Sequence, residues 1–460
     1  MGIYHSNHIQ GKKGCQFSQQ IRGLNLEQVL LVAIDAAKLH QKAMICNYFG
    51  DVIARPFFFS VNLTGLTELI SMIEEAKAQV EAQRVFVGIE ATGHYYEDIV
   101  RELGKQGYGV TIINAATTHE ERASALSWCK TDDIDLVAIA HALKNNKGTE
   151  NTLPEGKHRQ LMVLTRARRR EAQKRAALRM EARVYMDVIW REFQGYAVYQ
   201  EGKPKKKTLF SDFWGKSSMF FMEHYPHPSQ ILALGEQGLR ELSKKHNLKL
   251  RATTVEKLLH VASQSLSRSV EELQPELLLL KMKIDDIRHL DKNINRIEKE
   301  IEMLLLQTDG YLLLTVPGIG VVTAAEFYSE LGDVSQYSHA GQLIKKAGTN
   351  PIVKQSGGGR GYYGRISKQG NQHLRYIVYL TGKSLVMHNH ELRPFYLRLK
   401  ESGKHPRKIF IAMGNKFIKI AFAMLRNQVP FSPKRTSLCI QEELTKKLKY
   451  TTLEQIPLVV

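Results

Sequence analysis

Apolar residues follow two rhythms along this chain: short continuous runs in its first third, and steps of three and four residues beyond it. The run Val29-Leu-Leu-Val-Ala-Ile34 ends at Asp35, as a strand buried on both faces would. Similar runs at 43–49 and 52–61 flank Gly50-Asp51, a turn signal, so the three predict an antiparallel meander. A helical stretch over 66–83 precedes a strand at 85–89, a helix at 96–107, a strand at 109–113 and helical character from 115 through 143. Residues 1–26 form a polar extension ahead of this block.

Three strands, then helix, strand, helix, strand and helix, is the element order of an RNase H-like α/β fold. The predicted organisation is an RNase H-like domain over 27–150, a helical basic and coiled-coil connector over 151–310, a mostly helical domain over 311–430, and a tail over 431–460, poorly packed. The connector opens with one long helix over 159–193. Arg166, Arg168, Arg169, Arg170, Lys174, Arg175, Arg179 and Arg183 crowd it, a density that repels itself without a counter-charge. Further on, apolar residues recur at Leu277, Leu280, Ile284, Ile287, Leu290, Ile294, Ile297, Ile301 and Leu304. The extra three-residue step from Ile287 to Leu290 breaks strict heptads, which makes this a coiled-coil-like helix with a phase slip. It either joins two protomers or packs on its own chain, and Pro275 suits its first turn. Val316-Pro-Gly-Ile-Gly320 then interrupts a helical pattern that resumes over 321–331. Such glycines serve a tight turn, or let amides approach a phosphate.

Composition adds a partner. Over 460 residues, 65 Lys and Arg against 46 Asp and Glu leave a formal charge of +19, which favours a polyanion through counterion release. Lys203-Pro-Lys-Lys-Lys207 forms a second basic patch, read as a loop, with Phe210, Phe213 and Trp214 close behind. Lys205, Lys206 and Lys207 join the helix arginines as candidate nucleic-acid contacts. The four cysteines lie far apart without a CxxC pair, so neither a zinc knuckle nor a disulfide framework is expected. With no bilayer-length apolar run and no secretory start, a soluble cytoplasmic protein with no membrane partner is expected.

Metal-ion phosphoryl transfer needs carboxylates converging on hard cations such as Mg2+ or Mn2+. Asp35 and Glu90 end two buried runs, while Asp132 and Asp135, three apart on a predicted helix, share one face. Each alone reads as a turn or cap residue; together they make a candidate metal site. In the C-terminal part, Ser356 precedes Gly357-Gly-Gly359 and Arg360. By its own composition this is a Gly-Ser loop, and no base is assignable to activate the hydroxyl.

These residues carry a resemblance. Ala33-Ile-Asp35-Ala-Ala-Lys38, Glu90-Ala-Thr-Gly-His94 and Lys130-Thr-Asp-Asp-Ile-Asp135 look like the three signature blocks of the DEDD transposases. That family includes the Piv-type site-specific invertases and the bridge-RNA-guided recombinases of insertion sequences. Its N-terminal domain is similar to the Holliday-junction resolvase RuvC, and Asp35, Glu90, Asp132 and Asp135 fall on its four metal-binding positions. Ala36-Ala37 stands where the family more often has Val-Ser, and Leu136 where Ala is usual; neither change removes an oxygen ligand. Val316–Gly320, Ala347-Gly-Thr-Asn-Pro351, Gln355-Ser-Gly-Gly358 and Ser367-Lys-Gln-Gly-Asn371 look like successive blocks of the family's C-terminal domain.

The resemblance implies that Ser356 attacks DNA to form a phosphoserine link, with the carboxylates assisting. It also implies a dimer or tetramer assembled on DNA and a structured noncoding guide RNA. Lys354, Arg360, Arg365, Lys368 and Arg375 supply charge for the phosphate. Tyr362 and Tyr363, near His373 and Arg375, offer a competing nucleophile. The alternatives are a junction endonuclease that uses only the four acids and water, and a non-catalytic nucleic-acid-binding protein.

Overall fold

The computed structural model describes residues 20–124, 131–150, 153–200, 203–354, 362–431 and 437–452, and the chain divides between Leu153 and Pro154 into two units. In the first unit β1 (Val29–Asp35) is buried over its first six residues, as its unbroken apolar run requires. β2 (His40–Asn47) and β3 (Val52–Ser60) return antiparallel. The side chain of Asn47 closes their turn, accepting from the amides of Phe49, Gly50 and Asp51 at 2.9–3.0 Å.

The chain continues through α1 (Leu63–Gln79), β4 (Arg84–Glu90), α2 (Tyr96–Lys105), β5 (Val110–Ile113), α3 (Ala115–Ser124), α4 (Asp132–Lys144) and β6 (Thr149–Glu150). The sheet order is β3-β2-β1-β4-β5-β6, with β4 parallel to β1 and β5 parallel to β4. Alternate residues of β1 feed opposite layers. Leu30, Val32 and Ile34 pack with α1 and α2, whereas Leu31 and Ala33 pack with Leu136 and Ile139 of α4. The meander and the alternation after it match the pattern read from the sequence; β6, two residues long, carries no pattern to read.

The second unit is mostly helical. It comprises α5 (Gly156–Ile189), β7 (Tyr196–Gln200), β8 (Lys203–Lys207), α6 (Lys216–His224), α7 (Pro228–Lys245), α8 (Ala252–Ser263) and α9 (Gln274–Leu305). A 3-10 segment, Asp309–Thr315, leads to α10 (Val321–Leu331), α11 (Ala340–Ala347), β9 (Pro351–Lys354), β10 (Tyr362–Ile366), α12 (Gln372–His388), α13 (Arg393–Glu401), α14 (Pro406–Asn427) and α15 (Ser437–Lys447). No helix among the described residues is long and apolar enough to cross a membrane.

The expected coiled-coil stripe is α9, which buries Leu280, Ile284, Ile287, Leu290, Ile294 and Ile301. It packs on α5 of its own chain, and the ion pairs Arg168–Glu298 and Lys283–Glu181 run in opposite order along the two helices, so they are antiparallel. Two cores share this pair. Ala182, Met186, Leu280 and Ile284 belong to one, and Leu161, Ile301 and Leu305 to the other.

Two local expectations change, for Lys203–Lys207 and for the tail, and at Val316–Gly320 the tight turn is the alternative that forms. Lys203–Lys207, read as a loop, is a strand paired antiparallel with β7; every residue of β8 is exposed, so cross-strand bonding, not burial, makes it a strand. The Val316–Gly320 turn is a packing element. Gly318 takes φ +86, and a Cβ there would lie 3.0 Å from the His388 Cβ, while Ser384 Oγ donates to its carbonyl at 2.6 Å. The tail is docked. Lys447 Nζ donates to the carbonyls of Leu314 and Val316 at 2.6 and 2.9 Å. Glu302, 2 % exposed, accepts from the amides of Lys449, Tyr450 and Thr451 at 2.8–3.0 Å, because a buried carboxylate needs donors.

Candidate active site

Parallel register sets the first two acids side by side. Ile34 lies opposite Ile89, so Asp35 and Glu90, the next residues, end β1 and β4 at the same edge of the sheet. The third element reaches that edge through a salt bridge. Asp35 is the register partner of Lys42 on β2, and Lys42 Nζ pairs with Asp133 Oδ1 at 2.6 Å. The first turn of α4, capped by Thr131, therefore sits beside the carboxyl end of β1. Asp132 opens that turn and is exposed. Asp135, three residues on, is only 7 % exposed and accepts from Arg122 Nη1 of α3.

Topology thus brings Asp35, Glu90, Asp132 and Asp135 to one end of the sheet. It does not bring their oxygens together. Among the described residues, no three His, Cys, Asp or Glu side chains stand close enough to hold a metal ion. Glu90 accepts from the Thr92 hydroxyl at 3.3 Å, and Arg122 takes Asp135. Glu90 and Asp135 thus each meet a local donor rather than one another.

Ser356 and Arg360 lie in residues 355–361, outside the described residues. The hairpin that brackets them pairs Lys354 with Tyr362 and Val353 with Tyr363. Two of the quoted sequence blocks form its base. The Ser367 amide donates to the Asn350 carbonyl at 2.9 Å, the Lys368 amide to that of Gly348 at 3.0 Å, and the Asn371 amide to that of Lys346 at 2.7 Å. Gly370 takes φ +136, where a Cβ would collide with the Lys346 carbonyl. Thr349 Oγ1 ties this base to Asn415 of α14 at 2.6 Å. Arg375, expected on a phosphate, instead donates to the carbonyls of Ala347 and Lys368 at 3.2 and 3.0 Å. Arg365 and Lys368 are exposed.

The arginines of α5 find much of their counter-charge within the unit. Arg166 grips Glu330 of α10 with two hydrogen bonds of 2.6 and 2.9 Å, and Arg168 pairs with Glu298 at 2.8 Å. Arg169 lies 3.4 Å from the Tyr376 ring centre and 3.6 Å from Glu326. Arg175 meets Asp291, which Arg179 approaches at 4.0 Å, and Arg183 stacks 4.9 Å over Phe213. Arg170 and Lys174 remain exposed, the latter bonded to Glu171 within the helix. Lys205, Lys206 and Lys207 are exposed too.

Sequence reading missed the acids that organise this cluster. Glu326 and Glu330 are four apart on α10, whose other residues are apolar apart from Thr323 and Ser329, and that spacing was the available signal. Asn371 Nδ2 donates to Glu330 at 2.7 Å, linking the hairpin base to α5 and α10. Burial pushes the Glu326 carboxyl from 4.5 up to about 7, against the pull of the Arg169 charge. The folded state therefore holds this proton more tightly than the unfolded chain. Its contribution to stability, at most about 3 kcal/mol, is complete below about pH 4.5 and disappears as pH rises through about 7. Urea unfolding at pH 5 and pH 8 should show Glu326→Gln with a flatter pH dependence than the parent; identical slopes would refute this.

Comparison with known proteins places these features. Residues 32–190 match the IS110-type DEDD transposase domain, and residues 310–397 match the transposase IS116/IS110/IS902 family. The chain is 22% identical over 408 residues to an uncharacterised 44.8 kDa protein of insertion element IS116 from Streptomyces clavuligerus, covering 87% of this chain and 96% of that one. It is 29% identical over 153 residues to the pilin gene-inverting protein of Moraxella bovis, 32% of this chain and 48% of that one. Over 147 residues it is 26% identical to the transposase for insertion sequence element IS1111A of Coxiella burnetii, 31% of this chain and 40% of that one.

Proposed function

The chain belongs to the IS116/IS110/IS902 transposase family, and we propose that it cuts and rejoins DNA with two sets of groups: Asp35, Glu90, Asp132 and Asp135 on an RNase H-like, RuvC-like sheet, and the hydroxyl of Ser356. One observation carries the first part. Two adjacent strand ends and the first turn of α4 meet at one sheet edge, which the Lys42–Asp133 contact of 2.6 Å fixes. The donor set fits a hard divalent cation, Mg2+ or Mn2+, because all four ligands are carboxylates. The nearly buried Asp135 has the Arg122 guanidinium as its charge partner, and a cation held by these acids would add to a neutralisation the fold already requires. A bound divalent ion supplies polarisation of a phosphodiester oxygen and neutralises developing charge.

The chain's own groups do the rest. Ser356 Oγ bonds to phosphorus, one P–O ester bond of the DNA breaks, and the released sugar oxygen takes up a proton; rejoining reverses these events with a second strand. The interlocked base of the β9–β10 hairpin supports this reading by giving the serine segment a rigid footing. Arg170, Lys174, Lys205, Lys206, Lys207, Arg365 and Lys368, all exposed, are candidate nucleic-acid contacts, together with Lys354 and Arg360. A structured guide RNA and a homodimer or homotetramer complete the proposed assembly.

The test uses element-end DNA, guide RNA and full-length protein. Joined product should form with Mg2+, vanish with a chelator, and fall at least about 10²-fold in Asp35→Asn and Glu90→Gln. Undiminished joining by both variants would overturn the metal assignment.

A further inference from the structure

Unlike the arginines of α5, the lysines of the β7–β8 hairpin are not held in side-chain ion pairs among the described residues, although Lys206 feels the Asp187 carboxylate and Glu201 lies in the hairpin sequence. Lys203, Lys205, Lys206 and Lys207 occupy four of the five positions of β8, all exposed. None of them makes an ion pair among the described residues, whereas the arginines of α5 reach Glu298, Glu326, Glu330 and Asp291. The register, Tyr196↔Lys207, Val198↔Lys205 and Gln200↔Lys203, sets three lysines on one face of the ribbon. Lys206 falls on the other face with Tyr199, which is 73 % exposed. Lysines on one face recur about every 7 Å along a strand. The root of the ribbon is fixed, since Phe193 beside it is fully buried and Tyr196 packs on the same core. Four like charges held this close repel one another, and a polyanion relieves that cost.

Shape selects the polyanion. A two-stranded ribbon fits the major groove of B-form DNA, about 12 Å wide, while the major groove of A-form RNA is too narrow to admit one. We propose that the β7–β8 ribbon docks in the major groove of duplex DNA, with its lysines reaching the bordering phosphates. This rests on the reading that the protein acts on DNA, and assigns the duplex rather than the guide RNA to this surface.

Fluorescence anisotropy with a 20-base-pair DNA duplex and an RNA duplex of the same sequence tests it, comparing full-length protein with the K203Q/K205Q/K206Q/K207Q variant. The variant should lose at least about tenfold affinity for DNA, and the slope of log affinity against log salt should fall by about 3. RNA-duplex binding should change less than about threefold. Because the lysines are exposed, thermal unfolding should be unaltered. Should the variant fold poorly, guanine-N7 methylation of the duplex must weaken wild-type binding, as the groove assignment requires. Unchanged DNA affinity, an equal loss on RNA, or indifference to N7 methylation overturns the proposal. If the wild type joins DNA yet binds it equally with and without these lysines, the ribbon assignment alone fails. If it binds through the ribbon but joins nothing, the catalytic reading alone fails.

Discussion

Ser356→Ala should abolish strand joining and the covalent protein–DNA adduct, a loss of at least about 10³-fold, while leaving duplex binding and thermal unfolding near their parental values. The contrast between chemistry and stability follows from the hairpin base. The bonds that hold β9 and β10 run through Gly348, Asn350, Ser367, Lys368 and Asn371, so deleting one hydroxyl at 356 removes none of them. Trapped adduct on a denaturing gel reads the result directly. An adduct that survives in Ser356→Ala would dismiss the serine and return attention to Tyr362 and Tyr363. Cutting that survives without any adduct in the parent protein would instead favour hydrolysis by the four acids alone.

Removing Arg166 should be the most damaging single change to the second unit. The Glu330 side chain is 1 % exposed and depends on two Arg166 hydrogen bonds and one from Asn371. Arg166→Met leaves that carboxylate without its cation, a loss expected at about 3–5 kcal/mol. Adding Glu330→Leu should restore part of it, since two apolar residues leave no stranded charge. Urea unfolding of the parent, the single and the double variant measures both. A single variant within about 1 kcal/mol of the parent would show that the pair does not hold α5 to α10. Asn371 also caps α12, so a loosened Glu330 is expected to reach the hairpin base as well.

What could be read in advance was whatever burial imprints on neighbouring positions. Val29–Asp35 sits between helices on both faces, and its apolar run announced that. The stripe of α9 announced its buried face, although only the structure supplies the partner, α5. β8 was invisible because a fully exposed ribbon has no apolar alternation and is defined by its bonds to β7. The arginines of α5 show their density locally, but their acids stand more than 100 residues away, as Glu298 does from Arg168. Asp35 and Glu90 were legible as neighbours since each ends a strand. The orientation of the carboxylates was not, because Asp135 turns to Arg122 of α3 and Glu90 to the Thr92 hydroxyl, partners that no apolar pattern marks.

The paired helices α5 and α9 each start in one core and finish in the other. At about 1.5 Å per residue the 32 residues of α9 reach roughly 48 Å, and cross-ties at Glu298, Asp291 and Lys283 resist sliding of one helix along the other. The pair is a strut of fixed length. On the reading that the ribbon takes DNA, a pull there is expected to reach α10 as a tilt of this strut rather than as a change in its length.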